Sequence, residues 1–207
     1  MNGLQQAPTR SAALELKAER VVVSEAYDFL DEKRLLLAAE LLRQLADYDR
    51  LRRELEQLHQ QAVSALVHAV AQHGLQGLSV YPAAAIETAR FDTDTRNFMG
   101  VMLAATSLQL PDDSTVAAAA CPSAEAHTCQ QAFRKLLETS SRLAGISGNL
   151  YRLLAEYRLT ERRARALENV ILPEIEQTLR VMTSHLEELE FEDAVRVRVR
   201  SKAAAAT

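Results

Sequence analysis

Tryptophan is absent from this sequence, and glycine (six), proline (five) and cysteine (two) are scarce among its 207 residues. Each shortage excludes something. A β-sandwich or barrel needs a turn every 8–12 residues and strands rich in aromatic or β-branched side chains; with 5% aromatic content and so few turn formers, this chain has neither. Two cysteines, Cys121 and Cys129, cannot make a disulfide framework and fit a reducing compartment. No excess of basic residues is present: 24 basic against 28 acidic residues gives a net charge of −4, which offers no general electrostatic basis for nucleic-acid binding. The first twenty residues contain no apolar stretch of the secretory-signal kind.

What is present is Ala, Leu, Glu and Arg, strong helix formers with little side-chain freedom to lose. No Gly or Pro interrupts Thr9 through His73, and Thr9 or Ser11 can cap the helix start. Apolar residues recur in steps of three and four at Leu37, Leu41, Leu45, Tyr48, Leu51, Leu55, Leu58, Ala62, Leu66 and Val70. That spacing draws one stripe down a helix, and at 1.5 Å per residue the segment makes a rod of about 90 Å. A stripe that long must be buried against a partner helix. A second stripe runs from Phe133 through Leu143, Leu154, Tyr157, Ala164, Leu167, Ile175, Met182 and Leu189, interrupted at Gly145 and Gly148 and again at Pro173, where a kink is expected.

The two stripes predict an all-α-dominated fold, an antiparallel two-stranded coiled coil of N- and C-terminal helices. Its parts are a first helix at 8–73, an irregular region at 74–130, a second helix at 131–195 and a flexible basic, Ala-rich tail at 196–207. In the irregular region, Ala85–Phe91 and Met99–Leu110 read as two strands around a turn-rich loop, Asp92–Asn97. The uncharged stretch from Gln57 to Ile86 is long enough to cross a bilayer but is broken by Gln, His and Pro, so no membrane span is expected.

Catalytic signals are sparse. Gly145-Ile146-Ser147-Gly148 lacks the lysine and spacing of a phosphate loop. Glu56-x-x-His59 lacks the second pair and extra carboxylates of a helical-bundle metal site, and Cys121, His127 and Cys129 match no common zinc module. His68, His73 and His185 stand alone. No catalytic, cofactor or metal residue is therefore expected. Charge clusters are more informative: residues 131–165 carry eight basic side chains against three acidic ones. Among them Arg152, Arg158, Arg162, Arg163 and Arg165 read either as a solvated face with intrahelical Glu partners or as a surface for an acidic partner. Near the end, an acidic run from Glu187 to Asp193 gives way to Arg196, Arg198 and Arg200 alternating with Val195, Val197 and Val199, an extended period where the helix is expected to fray. The sharper alternative is a basic helix tip held in a protein socket.

Two stretches carry a family resemblance. Pro8-Thr9-Arg10-Ser11, Leu14, Leu16-Lys17 and Ala26-Tyr27-Asp28-Phe29-Leu30-Asp31-Glu32-Lys33-Arg34 follow one pattern, and Thr160-Glu161-Arg162-Arg163-Ala164-Arg165-Ala166-Leu167-Glu168-Asn169-Val170-Ile171-Leu172-Pro173 with Thr178 another. Together with Leu186–Glu192 and Asn97-Phe98-Met99-Gly100-Val101 between them, these resemble the D subunits of the V-type and archaeal A-type rotary ATPases (ATP synthases), the central rotor shaft. Ala26, Leu35 and Ala164-Arg165 depart from the family pattern.

The resemblance implies a non-catalytic, cytoplasmic component, peripheral on the membrane. Its coiled coil would stand in a hexamer of A and B subunits, and its hairpin end would meet the small F subunit and the socket (C/d) subunit above the ion-translocating ring. It assigns Arg162, Arg163 and Arg165 to acidic partner residues and Phe98 and Met99 to the hairpin at the rotor base. A stand-alone coiled-coil scaffold is the competing reading.

Overall fold

The computed structural model describes residues 9–81, 88–111 and 123–204, with side chains to Ser201. Three helices and two strands account for most of them: α1 (Arg10–Ser79), β1 (Arg90–Phe98), β2 (Val101–Gln109) and α2 (Ala124–Ala166), after which a π-helical turn (Leu167–Ile171) leads into α3 (Leu172–Ala204). Thr9 caps α1: its Oγ1 accepts from the Ala12 N–H at 3.2 Å and its carbonyl from the Ala13 N–H at 3.0 Å. Near the other end Gly74 leaves the helical region (φ 67°, ψ 166°), a conformation that a Cβ would disfavour, and helical turns resume as far as Ser79.

Two compact units divide the chain, one of Met1–Leu35 with Arg158–Thr207, the other Leu36–Tyr157. In the first, α1 and α3 run antiparallel: Arg10 pairs with Glu190 and Arg20 with Glu176, so rising numbers on one helix meet falling numbers on the other. Buried in this unit are Ala12 and Ala13 of α1, Thr160 and Ala164 near the end of α2, and Ile175 and Met182 of α3. Small residues dominate that set, which lets two backbones approach closely. The same antiparallel sense holds in the second unit, where Leu37 packs with Leu153 and His73 meets Ser123, and where Leu51, Ala62, Ala69 and Ala126 are also buried. The long N- and C-terminal helices thus pack as the stripes predict. Not every stripe residue is covered, since Leu45 remains 41% and Leu66 39% exposed.

Three local expectations need correction. Asp92–Asn97 is not a loop but the body of β1, which pairs with β2 in unbroken antiparallel register from Arg90↔Gln109 to Phe98↔Val101. β-Branched Thr93 and Thr95 favour the strand, and the reversal falls on Met99-Gly100 instead. Both have positive φ (51° and 87°), as a two-residue type I′ turn requires, and the Asn97 side-chain carbonyl accepts from the Gly100 N–H at 3.0 Å. Gly145 and Gly148 do not interrupt the second helix; α2 continues through both. The Val195–Val199 segment is helical, not extended, and Arg196 adds modest support by pairing with Glu192 and Asp193 one turn back. Pro173 is accommodated by the π turn, closed by the Leu172 N–H donating to the Leu167 carbonyl.

Candidate interaction surfaces

The hairpin is the one sheet among the described residues, and both long helices of its unit hold it. Val101 and Leu103 are buried with Leu37 of α1 and Leu153 of α2, and Leu41, Phe98 and Tyr157 pack around them. Each fully buried aliphatic side chain contributes roughly 1.5–3 kcal/mol. Polar contacts then fix orientation. Glu40 is 8% exposed and anchors strand β1 to α1: its Oε1 accepts from Arg96 Nη2 at 2.7 Å, Arg43 Nη2 at 2.7 Å and Gln44 Nε2 at 3.0 Å, and its Oε2 from Arg43 Nε at 2.8 Å. Hydrogen bonds from Arg43 outweigh the opposing cost of burial. With the Gln44 bond and the charges of Arg43 and Arg96, they bring the carboxyl pKa down to about 2.

On the opposite side α2 grips β2. Asn149 is buried, and its amide answers Ala104 like a neighbouring strand: Oδ1 accepts from the Ala104 N–H and Nδ2 donates to the Ala104 carbonyl, both at 2.8 Å. Thr106 Oγ1 donates to the Ser141 carbonyl at 2.7 Å. Gly145 makes that approach possible, since a Cβ there would lie 2.2 Å from Thr106 Oγ1. Arg152 Nη1 donates to Asn149 Oδ1 at 3.0 Å and reaches toward the Met102 carbonyl at 3.5 Å. The sequence patterns mark Gly145 only as an interruption of the second stripe, and they mark none of Glu40, Arg96 or Asn149. A polar Asn amid apolar steps and a glycine inside a helix are the only local hints.

The residues picked from sequence fall in several places. Phe98 is half-buried at the inner cluster, with the Arg96 guanidinium 5.9 Å from its ring centre, whereas Met99 sits exposed on the turn. Arg162, Arg163 and Arg165 are exposed on α2 while Thr160 and Ala164 face inward. Arg165 is paired with Glu161 at 2.6 Å, and Arg162 Nε reaches the Arg158 carbonyl at 3.4 Å. Arg163 makes no ion pair among the described residues. Arg196, Arg198 and Arg200 all lie exposed on α3, of which only Arg196 is paired among the described residues. Just beyond the arginine cluster, the π turn carries Glu168 to the Tyr27 hydroxyl; burial first, then the negative charges of Glu168 and Asp31, raise the tyrosine pKa.

The weak metal and catalytic candidates are occupied otherwise. Glu56 accepts from Arg52 at 3.3 Å, and His59 is exposed. His127 contacts Gln131 at 2.8 Å, Cys129 is buried with its thiol pKa raised by that burial, and Cys121 lies outside the described residues. His73 Nε2 contacts Ser123 Oγ at 2.6 Å, and that serine caps α2 through the Ala126 N–H. Among the described residues no group of three or more His, Cys, Asp or Glu converges as a metal site, and no helix is long and apolar enough to cross a membrane.

Comparison with known proteins places this architecture. The family model that describes the D subunit of ATP synthase matches residues 12–202. The V-type ATP synthase D subunit of Thermotoga neapolitana is 29% identical over 192 residues, covering 93% of this chain and 95% of the relative. The A-type ATP synthase D subunit of Thermococcus kodakarensis is 28% identical over 92% of this chain and 91% of its own length. The V-type counterpart in Thermus thermophilus is also 28% identical, over 94% of this chain and 86% of the relative. A match running through both helices and the hairpin between them covers the fold as a whole, and the chain belongs to the family of ATP synthase D subunits.

Proposed function

We propose that this chain is the central rotor shaft of a V-type/A-type ATPase and couples ATP hydrolysis or synthesis in an A/B hexamer to ion translocation through a membrane ring. The observation that carries the reading is the family match from residue 12 to 202, which reaches every described element. The antiparallel packing of the long helices is in keeping with it, because a torque-bearing part needs continuous side-chain contact along its length. The chain does no chemistry itself and acts in the cytoplasm as a peripheral component of the membrane complex.

In this role the helices at 8–73 and 131–195 form the shaft and the 74–130 region its base. The F subunit and the socket (C/d) subunit meet the base, where Met99 is offered at the turn and Phe98 holds the turn in place. Arg162, Arg163 and Arg165 face acidic side chains of the A and B subunits, and Arg196, Arg198 and Arg200 form the basic end of α3 within the hexamer. Mixed charge suits a surface that must slide past successive conformations of the hexamer, because it avoids a large adhesive apolar patch.

Affinity purification of the tagged chain from native extract tests the assignment. Recovery of the A, B and F subunits in stable stoichiometry is expected; recovery of the chain without them would leave a stand-alone coiled-coil scaffold as the better reading.

A further inference from the structure

The two edges of the hairpin are treated differently. In an antiparallel pair, residues alternate between those whose N–H and C=O point at the partner strand and those whose groups point away. The Asn149 amide holds both the N–H and the C=O of Ala104, so Ala104 is an outward-pointing residue of β2. Its register partner Thr95 must then point outward on β1, and with it Phe91, Thr93 and Asn97. The outer edge of β2 is covered by α2 through Asn149, Thr106 and Arg152. Among the described residues the outer edge of β1 has no such cover. Arg90 through Asn97 are all exposed, Phe91 at 71%, and among the described residues no hydrogen bond reaches the outward backbone groups of Phe91, Thr93, Thr95 or Asn97. No bulge or proline blunts this edge over its nine residues, although proteins commonly use such devices to keep an edge from pairing.

Charge says which strand fits. Arg90, Asp92, Asp94 and Arg96 share one face of β1, and Arg96 is committed to Glu40 at 2.7 Å. Asp92 and Asp94 are exposed and make no ion pair among the described residues. Side chains directly across from one another on a sheet interact, attractively when opposite in charge. The adjacent carboxylates therefore disfavour an acidic strand and favour a basic one. On the other face Phe91 and Thr93 present apolar and β-branched surface.

We propose that the open edge of β1 receives, as a third strand, an extended segment of a partner subunit that carries Lys or Arg beside Asp92 and Asp94 and apolar or β-branched residues between them. This is recognition by strand addition, in which main-chain hydrogen bonds supply affinity and alternate side chains supply specificity. It rests on the shaft assignment, since the partner is taken to be another subunit of the same complex.

The test combines hydrogen exchange with a proline block. The full chain is reconstituted with its A, B, F and socket subunits, and amide exchange along β1 is compared with that of the free chain. The outward amides of Phe91, Thr93 and Thr95 should slow at least tenfold. Thr93→Pro removes one outward N–H but none of the bonds to β2, so it should weaken retention of one subunit at least tenfold while Thr93→Val does not. Asp92→Asn with Asp94→Asn should weaken the same subunit. If the parent chain assembles but the outward amides exchange as fast as before, or Thr93→Pro assembles as well as the parent, strand addition is wrong and the shaft assignment stands. If the edge is protected only when the free chain self-associates, the occupant is a second copy and the proposal falls. If the parent chain assembles with none of these subunits, both readings fall together.

Discussion

Gly145 and Gly148 stand one turn apart on α2, yet opposite effects are expected from replacing them. A Cβ at Gly145 would press within 2.2 Å of Thr106 Oγ1, which cannot retreat because it is tied to the Ser141 carbonyl. Gly145→Ala should cost a net of about 1–2 kcal/mol, overpacking outweighing the better helix propensity of alanine. At Gly148 the nearest atoms belong to the Arg152 guanidinium, 3.8 Å or more away, so Gly148→Ala should gain up to about 1 kcal/mol. Urea denaturation of the two variants separates them, and a shift in the same direction for both would contradict the close approach of the hairpin at Gly145. A second residue-scale expectation concerns pH. Glu40 has its pKa lowered from 4.5 to about 2 in the folded chain, so its contribution is fully present above pH 4.5 and is lost as pH falls from there toward 2. That contribution is at most about 3 kcal/mol. Comparing urea midpoints of parent and Glu40→Gln across this window should show the two converging as pH falls; a constant difference would mean that the carboxylate charge is irrelevant. Neither Gly145 nor Glu40 could be assigned its role from sequence, because each acts on a strand residue far away along the chain. Arg96 and Thr106 become partners only once the hairpin is docked.

Elements were legible where the signal is local and repeated. The absence of Gly and Pro through His73 forecasts α1, and apolar steps of three and four forecast the faces it buries at Leu37, Leu51 and Ala62. The hairpin was legible as a hairpin but shifted, because Asp92, Asp94 and Asn97 carry strong turn propensity, while a turn at Met99-Gly100 needs a methionine with positive φ. Register and docking to α1 and α2 overrode local preference there. The π turn before Pro173 follows from the missing N–H of proline, which leaves the carbonyl one turn back without its usual donor. Pro173→Ala should relax this stretch into regular helix and raise thermal stability, with an upper bound of about 3 kcal/mol. It should also lower the coupling of ion transport to ATP hydrolysis in the reconstituted complex, since the turn positions Glu168 against Tyr27. Raised stability with unchanged coupling would mean that the turn is merely accommodated.

At the scale of the whole molecule, the pairing of the first helix with the last was readable from two stripes alone, since neither could be buried without the other. The surfaces proposed to meet other subunits were less so. Arg162, Arg163 and Arg165 stand out in the sequence as a basic cluster, but only the structure separates the paired Arg165 from Arg163, which is exposed and has no ion pair among the described residues. The β1 edge, uncovered among the described residues, has no sequence signature, because which edge of the hairpin α2 covers through Asn149 is decided only when the hairpin docks. The shaft reading unites these features, and rotation tests it most directly. A complex reconstituted with the A, B, F and socket subunits is fixed to glass through its A/B hexamer, and a bead attached to the 90–109 hairpin is followed while ATP is hydrolysed. The account predicts unidirectional rotation of the bead at a rate that follows ATP turnover; a bead that stays still while the complex consumes ATP at full rate would contradict it.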